Sequence, residues 1–420
     1  MKFNLENLKF YLYNYLFLFS LYLSYKYFVS IVFGYMGYIY DPSFSKGLLS
    51  ILIFSFFLFL TNPKFNKVSS FVKYFYLIFI FGPVLVYFAL ANLSYKTVMI
   101  VTLMTTLIFI FNSLNLKIHI RFLKFDKNIL YLTIFLIVIL TLLLSYSKGL
   151  FYYFNLDESI TGLVREQKAV SQAGMSYIIS YCSIVLMPTL LTYSLLKKNY
   201  FLSILFVIIA IIFFGLTSMK SFFLYPFMIL SIYFFFSKKN DLNVIPFYLS
   251  ILLIFFLSIY LIFDNILFAG LINRRVFFVP PFLTFVYYDF FSSNPFIYWS
   301  SNKFISNFIS YPYDYDYPNL IGRFLGNDKS HANNSFISTG YMHAGILGII
   351  LYSFLFSIIL KLIDSISENN SHPLWLNISF VIIPLQILIT SSDLTTSLLS
   401  GGLALSIILL YLASSKKKIK

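Results

Sequence analysis

Residues 128–146 read NILYLTIFLIVILTLLLSY, an apolar run that contains no charged side chain. A helix needs roughly 17–25 predominantly apolar residues to cross the hydrocarbon core of a bilayer, so this run is long enough. Similar runs recur along the chain: of its 420 residues, 60% are hydrophobic and only 11% are charged, against about 25% charged in a soluble domain. The sequence therefore predicts one integral membrane domain over residues 1–420.

Twelve apolar runs predict about twelve transmembrane segments. Each should be a helix, because hydrocarbon offers no hydrogen-bond partner to backbone amides and carbonyls. The predicted fold class is therefore all-α, a polytopic membrane helical bundle. The first run follows the N-terminus without a small-residue cleavage site, so it is interpreted as a retained span. The predicted spans are 10–29, 47–60, 71–91, 97–111, 128–146, 175–196, 200–217, 221–236, 244–263, 342–360, 373–391 and 396–413.

The lysines and arginines indicate how the spans are oriented. They collect in alternate connections, as cytoplasmic loops do under the positive-inside rule. Both termini are therefore predicted to be cytoplasmic, and the net charge of +15 is attributed to membrane topology rather than to a nucleic-acid partner. The basic positions include Lys64, Lys67, Lys117, Arg121, Lys124, Lys127, Lys197, Lys198, Lys238, Lys239, Lys361 and the tail residues 416–420.

Two longer segments, 147–174 and 264–341, are predicted on the opposite, noncytoplasmic side. Loops of this length are uncommon unless they are functional or disordered. The second is dense in Phe, Tyr and Trp, a composition that argues against disorder. Within it, 276–291 is interrupted by Pro280 and Pro281 and is too short to span, so an interfacial or re-entrant helix is expected there. Function is predicted on this side of the bundle.

Several basic side chains are predicted on the noncytoplasmic side, against the positive-inside trend. An anionic ligand such as a lipid pyrophosphate would explain them, because guanidinium groups bind phosphate oxygens through two hydrogen bonds. The alternative is that they reach lipid headgroups or pair with aspartates of the same loop. No nucleotide-binding or metal-binding motif is found, so neither a cofactor nor a metal is predicted. The candidate ligand-binding residues are Arg165, Lys220, Arg274, Arg275 and Arg323.

Four further residues of the large loop are candidates for the chemistry. Asp289 is the only carboxylate in the stretch YYDFF, where burial would raise its pKa and suit it to proton transfer; it is equally a candidate counterion of Arg275. His331 is a second candidate base, although a lone histidine near a span is often only hydrogen-bonded. Asn333 and Asn334 offer amide hydrogen bonds to sugar hydroxyls.

Aromatic residues near these candidates, Trp299 among them, offer faces on which sugar rings could stack. Aromatic girdles at any membrane interface have a similar composition. Their concentration in one loop is what favours a carbohydrate ligand.

The large loop resembles that of bacterial O-antigen polymerases of the Wzy type. The resemblance lies in Arg275 followed by VFFVP, then YYDFF, then ANNSFISTGY and a glycine-spaced span, and in the turn TSMKS before SFFLYP. Asn334, Ser335, Gly345 and Gly348 also fit the spacing of the signature of the related O-antigen ligases. Asn334, however, stands where the ligases have histidine, which favours a polymerase and leaves His331 as the candidate substitute.

The resemblance implies a GT-C-type fold and a glycosyltransferase at the periplasmic face of the bacterial inner membrane. Its substrate would be an undecaprenyl-pyrophosphate-linked oligosaccharide, with the growing glycan moved onto the nonreducing end of a new lipid-linked unit. Arg275, Lys220 and Arg165 would act on the pyrophosphate or in loop closure, and Asp289 or His331 on the acceptor hydroxyl. Membrane lipid and a polysaccharide chain-length regulator are the expected partners.

Three other functions remain open on the sequence: a lipid-linked oligosaccharide flippase, an O-antigen ligase and a non-enzymatic membrane scaffold. A flippase works through a cavity between repeated halves, and the sequence contains no recognisable internal repeat. A scaffold gives no reason for the periplasmic arginines.

Overall fold

The computed structural model describes residues 5–114, 118, 120, 126–147, 175–302, 304–328 and 331–414. Within these ranges the helices are joined by turns and irregular loops, and no β-strand is formed beyond isolated bridge residues such as Lys64 and Asp241, so the all-α class is confirmed for the described part. The predicted loop 147–174 lies almost wholly outside the described residues.

Every predicted span coincides with an apolar helix, because the runs that fix these helices are continuous in sequence. Within the described residues, nine helices are long and apolar enough to cross a membrane, while α2, α8 and α14 are shorter, with 16, 17 and 17 residues. These helices identify the chain as a polytopic helical membrane protein, and the number of spans stays a prediction. The helices are α1 (Asn7–Val32), α2 (Phe44–Phe59), α3 (Val68–Leu90), α4 (Tyr95–Ser113), α5 (Lys127–Tyr146), α6 (Ser176–Leu196), α7 (Tyr200–Thr217), α8 (Lys220–Phe236), α9 (Val244–Phe263), α10 (Ile266–Phe277), α11 (Val279–Ser293), α12 (Tyr317–Phe324), α13 (Phe336–Asn369), α14 (Leu374–Thr390) and α15 (Leu394–Ala413).

The predicted interfacial or re-entrant helix is a bent pair. Helices α10 and α11 meet at an angle of 44°, and Pro280 and Pro281 lie in the first turn of α11. Proline fits there because the first amides of a helix have no intrahelical acceptor. Helix α11 then packs against α13, which places the pair on the bundle rather than away from it.

Contacts between connections define one end of the bundle, which we call the basic end. The backbones of Lys64 and Asp241 form an antiparallel β-bridge. Lys67 Nζ lies 2.8 Å from Glu368 Oε1, and His372 Nε2 lies 2.9 Å from the Ala413 carbonyl oxygen. The hydrogen bond from Lys67 to Glu368 raises the pKa of the Lys67 ammonium above its usual value. Predicted cytoplasmic connections therefore gather together, and the compartment they face stays a prediction.

The opposite end, which we call the loop end, carries the segment between α9 and α13. Here the Asp41 N–H donates to the Leu90 carbonyl at 2.9 Å, which joins the connection after α1 to the end of α3. The Tyr298 N–H donates to the His343 carbonyl at 3.0 Å, which joins the large loop to α13. The loop thus folds against the bundle, as its aromatic composition predicted.

Helix α13 contains a sharp break at Ala344 and Gly345, whose φ and ψ values are not helical. Gly345 has a φ of +57°, a conformation that favours glycine because it has no Cβ. Beyond the break the chain turns back on itself: a Cβ added to Gly340 would lie 3.1 Å from the Tyr352 ring. The predicted span 342–360 therefore includes the break, and the short helix before it was predicted as loop.

Candidate functional site

Arg274 and Arg275 lie together at the loop end, near the end of α10 and beside the segment after α1. The Arg274 guanidinium is buried, sits 4.0 Å from the centre of the Phe33 ring and contacts Met36 Sδ at 3.3 Å. Arg275 is exposed. Burial raises the pKa of the Tyr38 hydroxyl, and the positive charges of both arginines partly offset that rise. Two adjacent guanidinium groups are therefore held beside Tyr38, one packed inside and one facing outward.

The sequence preceding Arg275 explains this arrangement. Residues Gly270–Arg274 form a π-helical turn, a local widening that occurs frequently at functional sites. Arg274 is the last residue of this turn and is buried, whereas Arg275, the next residue, is exposed.

Lys220 lies at the start of α8, directly after a tight turn. Ser218 has a left-handed backbone (φ +55°), and the Met219 N–H donates to Thr217 Oγ1 at 3.2 Å. The Lys220 side chain is buried. Helix α8 packs against α6, α7 and α14, whereas Arg274 packs against the residues after α1, so different helices position the two predicted ligand residues.

Arg323 is exposed in the last turn of α12, where its guanidinium lies 3.7 Å from the centre of the Tyr315 ring. This stacking occupies one face of the side chain. Arg165 lies outside the described residues.

The prediction that Asp289 is buried is wrong. Asp289 is exposed on α11, in line with Val286 and Ser293 on the outward stripe of the helix, while its neighbours Tyr288 and Phe290 are buried. A helix places residues three and four apart on one face. The apolar residues next to Asp289 in the sequence therefore lie on the buried face of α11, and Asp289 lies on the exposed face. The proposed role of Asp289 in proton transfer therefore loses the burial on which it rested.

His331, Asn333 and Asn334 take different positions at the start of α13. His331 and Asn333 are exposed. Asn334 is buried, and its Nδ2 donates to Ser338 Oγ at 2.7 Å and Thr284 Oγ1 at 3.3 Å. Asn334 thus connects α11 to α13, which is a structural position rather than the sugar-facing one predicted for it.

The break in α13 exposes two backbone carbonyls that the large loop uses. The Ile297 N–H donates to the Met342 carbonyl at 3.1 Å, and the Tyr298 N–H donates to that of His343 at 3.0 Å. The Trp299 N–H donates to His343 Nδ1 at 3.1 Å. Three consecutive loop residues are therefore hydrogen-bonded to the broken helix.

His343 connects this loop to the connection between α14 and α15. Because its Nδ1 accepts from Trp299, the neutral ring carries its proton on Nε2, which lies 3.3 Å from Asp393 Oδ1. The Trp299 ring stacks on the imidazole with centres 4.9 Å apart and an interplanar angle of 17°. One face of Trp299 is therefore covered, although the sequence suggested that it was available to a sugar.

Asp393 is the centre of this arrangement, which we call the Asp393 network (Trp299, His343, Tyr352, Asp393 and Thr395). The Tyr352 hydroxyl donates to its Oδ1 at 2.9 Å, and the Thr395 N–H and hydroxyl donate to its Oδ2 at 3.0 and 2.5 Å. Burial raises the pKa of Asp393, but the hydrogen bonds from His343, Thr395 and Thr339 outweigh burial and hold the pKa below its usual value. The carboxylate is thus a charged anchor.

Sequence reasoning missed Asp393. The signal was present: Asp393 is the only carboxylate side chain after Glu368, and it precedes a helix as an N-cap residue in SSDLTT. Its partners Trp299 and Tyr352 lie far away in sequence, so their contact depends on the break in α13.

No family model, no curated protein and no solved structure matches this chain. The class that the described residues define is a polytopic α-helical membrane protein whose large loop is folded onto one end of the bundle.

Proposed function

We propose that this protein is a glycosyltransferase that polymerises O-antigen repeat units carried on undecaprenyl pyrophosphate at the periplasmic face of the bacterial inner membrane. It moves the growing glycan onto the nonreducing end of a new lipid-linked unit. The observation that carries the proposal is the pair Arg274 and Arg275 at the loop end, beside the end of α1. The resemblance of the loop sequence to O-antigen polymerases supports the same reading.

The reaction requires positive charge at this place. A sugar hydroxyl of the acceptor attacks the anomeric carbon of the donor glycan, and the bond from that carbon to the pyrophosphate oxygen breaks. Negative charge then accumulates on the departing lipid pyrophosphate, where preorganised cations lower the barrier most effectively. A guanidinium group suits this task because it donates two parallel hydrogen bonds to phosphate oxygens.

The two arginines have different parts in the proposal. Arg275 is exposed and contacts the pyrophosphate, whereas Arg274 is a positioning residue because its guanidinium is packed on Phe33 and Met36. Lys220 and Arg165 supply further charge, and Arg323 is the weaker candidate because it stacks on Tyr315.

The acceptor hydroxyl loses its proton to Asp289 or His331 in this proposal. Both side chains are exposed, so a bound glycan can reach them. The proposal also includes twelve spans, cytoplasmic termini, a GT-C-type fold and association with a chain-length regulator.

The test is the lipopolysaccharide banding of a strain that lacks the gene. Without the protein, a single repeat unit on lipid A-core is expected, and the wild-type gene should restore the ladder. Arg275→Ala should not restore it, whereas Arg323→Ala, the matched control in the same loop, should have the smaller effect at equal membrane levels. A strain in which no repeat unit reaches the core would contradict a polymerase and favour a flippase or a ligase.

A further inference from the structure

Two consecutive aromatic residues of the large loop adopt a strained backbone. Tyr298 has a φ of +48° and Trp299 a φ of +59°, in the left-handed region that costs free energy for a side chain with a Cβ. Bulky residues are rare there, and such strain persists only where surrounding contacts impose it. In the described part of the chain, the other non-glycine residues with positive φ each follow the end of a helix: Asn92, Lys198, Ser218 and Asp264.

The contacts that impose this backbone come from both sides of Tyr298. The N–H groups of Ile297 and Tyr298 bond to the carbonyls at the break in α13, and Trp299 is held by His343 through its N–H and its ring. The Trp299 Nε1–H also donates to the Tyr352 hydroxyl at 2.9 Å. The Asp393 network therefore fixes the residue next to Tyr298 in the interior.

The consequence is that the Tyr298 side chain faces outward. Its relative exposure is 48%, and its nearest aromatic partner is Phe296, with ring centres 6.2 Å apart and planes at 85°. In an edge-on contact Phe296 covers at most one face of the Tyr298 ring, so at least one face is left uncovered by it. The restrained backbone thus holds the exposed Tyr298 ring at a fixed place at the loop end.

We propose that Tyr298 is a carbohydrate-binding residue, whose ring stacks on a sugar of the lipid-linked glycan. A pyranose ring has an apolar face of C–H groups and a polar rim, and tyrosine combines an apolar ring with a hydroxyl that hydrogen-bonds. A contact that is already fixed before binding loses little conformational entropy when the ligand arrives. This inference rests on the proposed function and adds to it a residue that binds the sugar rather than the pyrophosphate.

Phe308 is the matched control in the same loop. It is more exposed than Tyr298, with a relative exposure of 77%, and its φ is −113°. If exposure of an aromatic ring alone decided sugar binding, removing the Phe308 ring would raise the KM more than removing the Tyr298 ring. If the constrained backbone decides it, removing the Tyr298 ring has the larger effect.

The experiment measures polymerisation by the purified full-length protein in lipid nanodiscs, with lipid-linked repeat units extracted from the deletion strain as the substrate. Tyr298→Gly removes the ring and tolerates the positive φ, and Tyr298→Asn does the same while keeping a side chain. Both should raise the KM for the repeat unit about tenfold, as expected for one lost aromatic contact, with a smaller change in kcat. Tyr298→Phe and Phe308→Ala should remain within about twofold of wild type on the same scale.

The outcomes separate this inference from the function on which it rests. A wild-type protein that elongates no glycan overturns the proposed function and this inference with it. A wild-type protein that polymerises, together with Tyr298→Gly and Tyr298→Asn variants of unchanged KM, overturns the carbohydrate contact alone. A KM increase for Phe308→Ala as large as that for Tyr298→Gly also overturns it, because general exposure would then explain both.

Discussion

Gly340 and Gly348 of α13 meet backbone to backbone, because the helix breaks between them at Ala344 and Gly345. A Cβ added to Gly348 would collide with the carbonyl oxygen of Gly340. The glycine spacing that resembles the O-antigen ligase signature therefore has a packing reason here. It allows the short first part of α13 to fold against the long second part and to expose the carbonyls that bind the large loop.

Gly348→Ala should destabilise the protein by about 1–3 kcal/mol, the usual cost of overpacking a tight contact. The measurement is thermal unfolding of the purified protein in detergent. Gly47→Ala is the control: Gly47 lies inside α2 with nothing within 4 Å of an added Cβ, so alanine there should be neutral or stabilising by up to about 1 kcal/mol. Equal unfolding temperatures for the two variants would contradict the close approach within α13.

Asp393→Asn should destabilise the loop end, because the amide nitrogen of asparagine cannot accept the bonds from Thr395 or Tyr352. Each buried donor left without an acceptor costs about 1–3 kcal/mol. Tryptophan fluorescence in a Trp375→Phe background reports on Trp299 alone, since the chain has only two tryptophans, and should show that ring becoming more exposed. Asp289→Asn, at an exposed carboxylate on α11, should change neither signal. An Asp393→Asn protein that unfolds like wild type would disprove the anchoring role.

The sequence predicted the helices well and the loop end only in part. Apolar runs such as 128–146 identify their helices locally, because a membrane demands a continuous apolar segment. Alternating lysines likewise identify the connections that meet at the basic end. Pro280 and Pro281 lie in the first turn of α11, a position that proline favours, and whether the bent pair spans the membrane stays a prediction.

The arrangement at the loop end depends on contacts between residues distant in sequence. The residues around Asp289 are apolar, yet the helical period places Asp289 on the exposed face of α11 and its neighbours on the buried face. Asn334 fits a sugar-binding pattern, but its amide bonds to Thr284 and Ser338. Neither outcome follows from composition, because each depends on how α11 packs against α13.

Arg274→Ala and Arg275→Ala should separate stability from activity. The Arg274 guanidinium is stacked on Phe33 and contacts Met36, and a desolvated cation–π contact contributes up to about 2 kcal/mol. Arg274→Ala should therefore lower the unfolding temperature, whereas Arg275→Ala should leave it unchanged because that side chain is exposed. Neither variant should restore the wild-type O-antigen ladder. A loss of stability in Arg275→Ala equal to that in Arg274→Ala would contradict the division into a contacting and a positioning residue.

His372 should make the basic end sensitive to acid. It lies between α13 and α14, and its ring donates to the Ala413 carbonyl at 2.9 Å, which holds the end of α15. Burial lowers the pKa of the imidazole below its ordinary value of 6.5; the bond to Ala413 opposes this, and the charge of Lys127 adds to it. The folded protein thus binds the proton less readily than the unfolded chain. The stabilisation is present above about pH 6.5 and is lost as the pH falls through the folded-state pKa.

The measurement for His372 compares unfolding temperatures of wild type and His372→Gln near pH 7.5 and near pH 5.5. Glutamine has an amide donor for the Ala413 carbonyl but does not titrate, so acidification should destabilise wild type more than the variant. Other titrating groups act on both proteins and cancel in the comparison. A difference between the two proteins that stays constant across this range would show that the His372 ring does not titrate with unfolding, and would remove the acid-sensitive contact from the basic end.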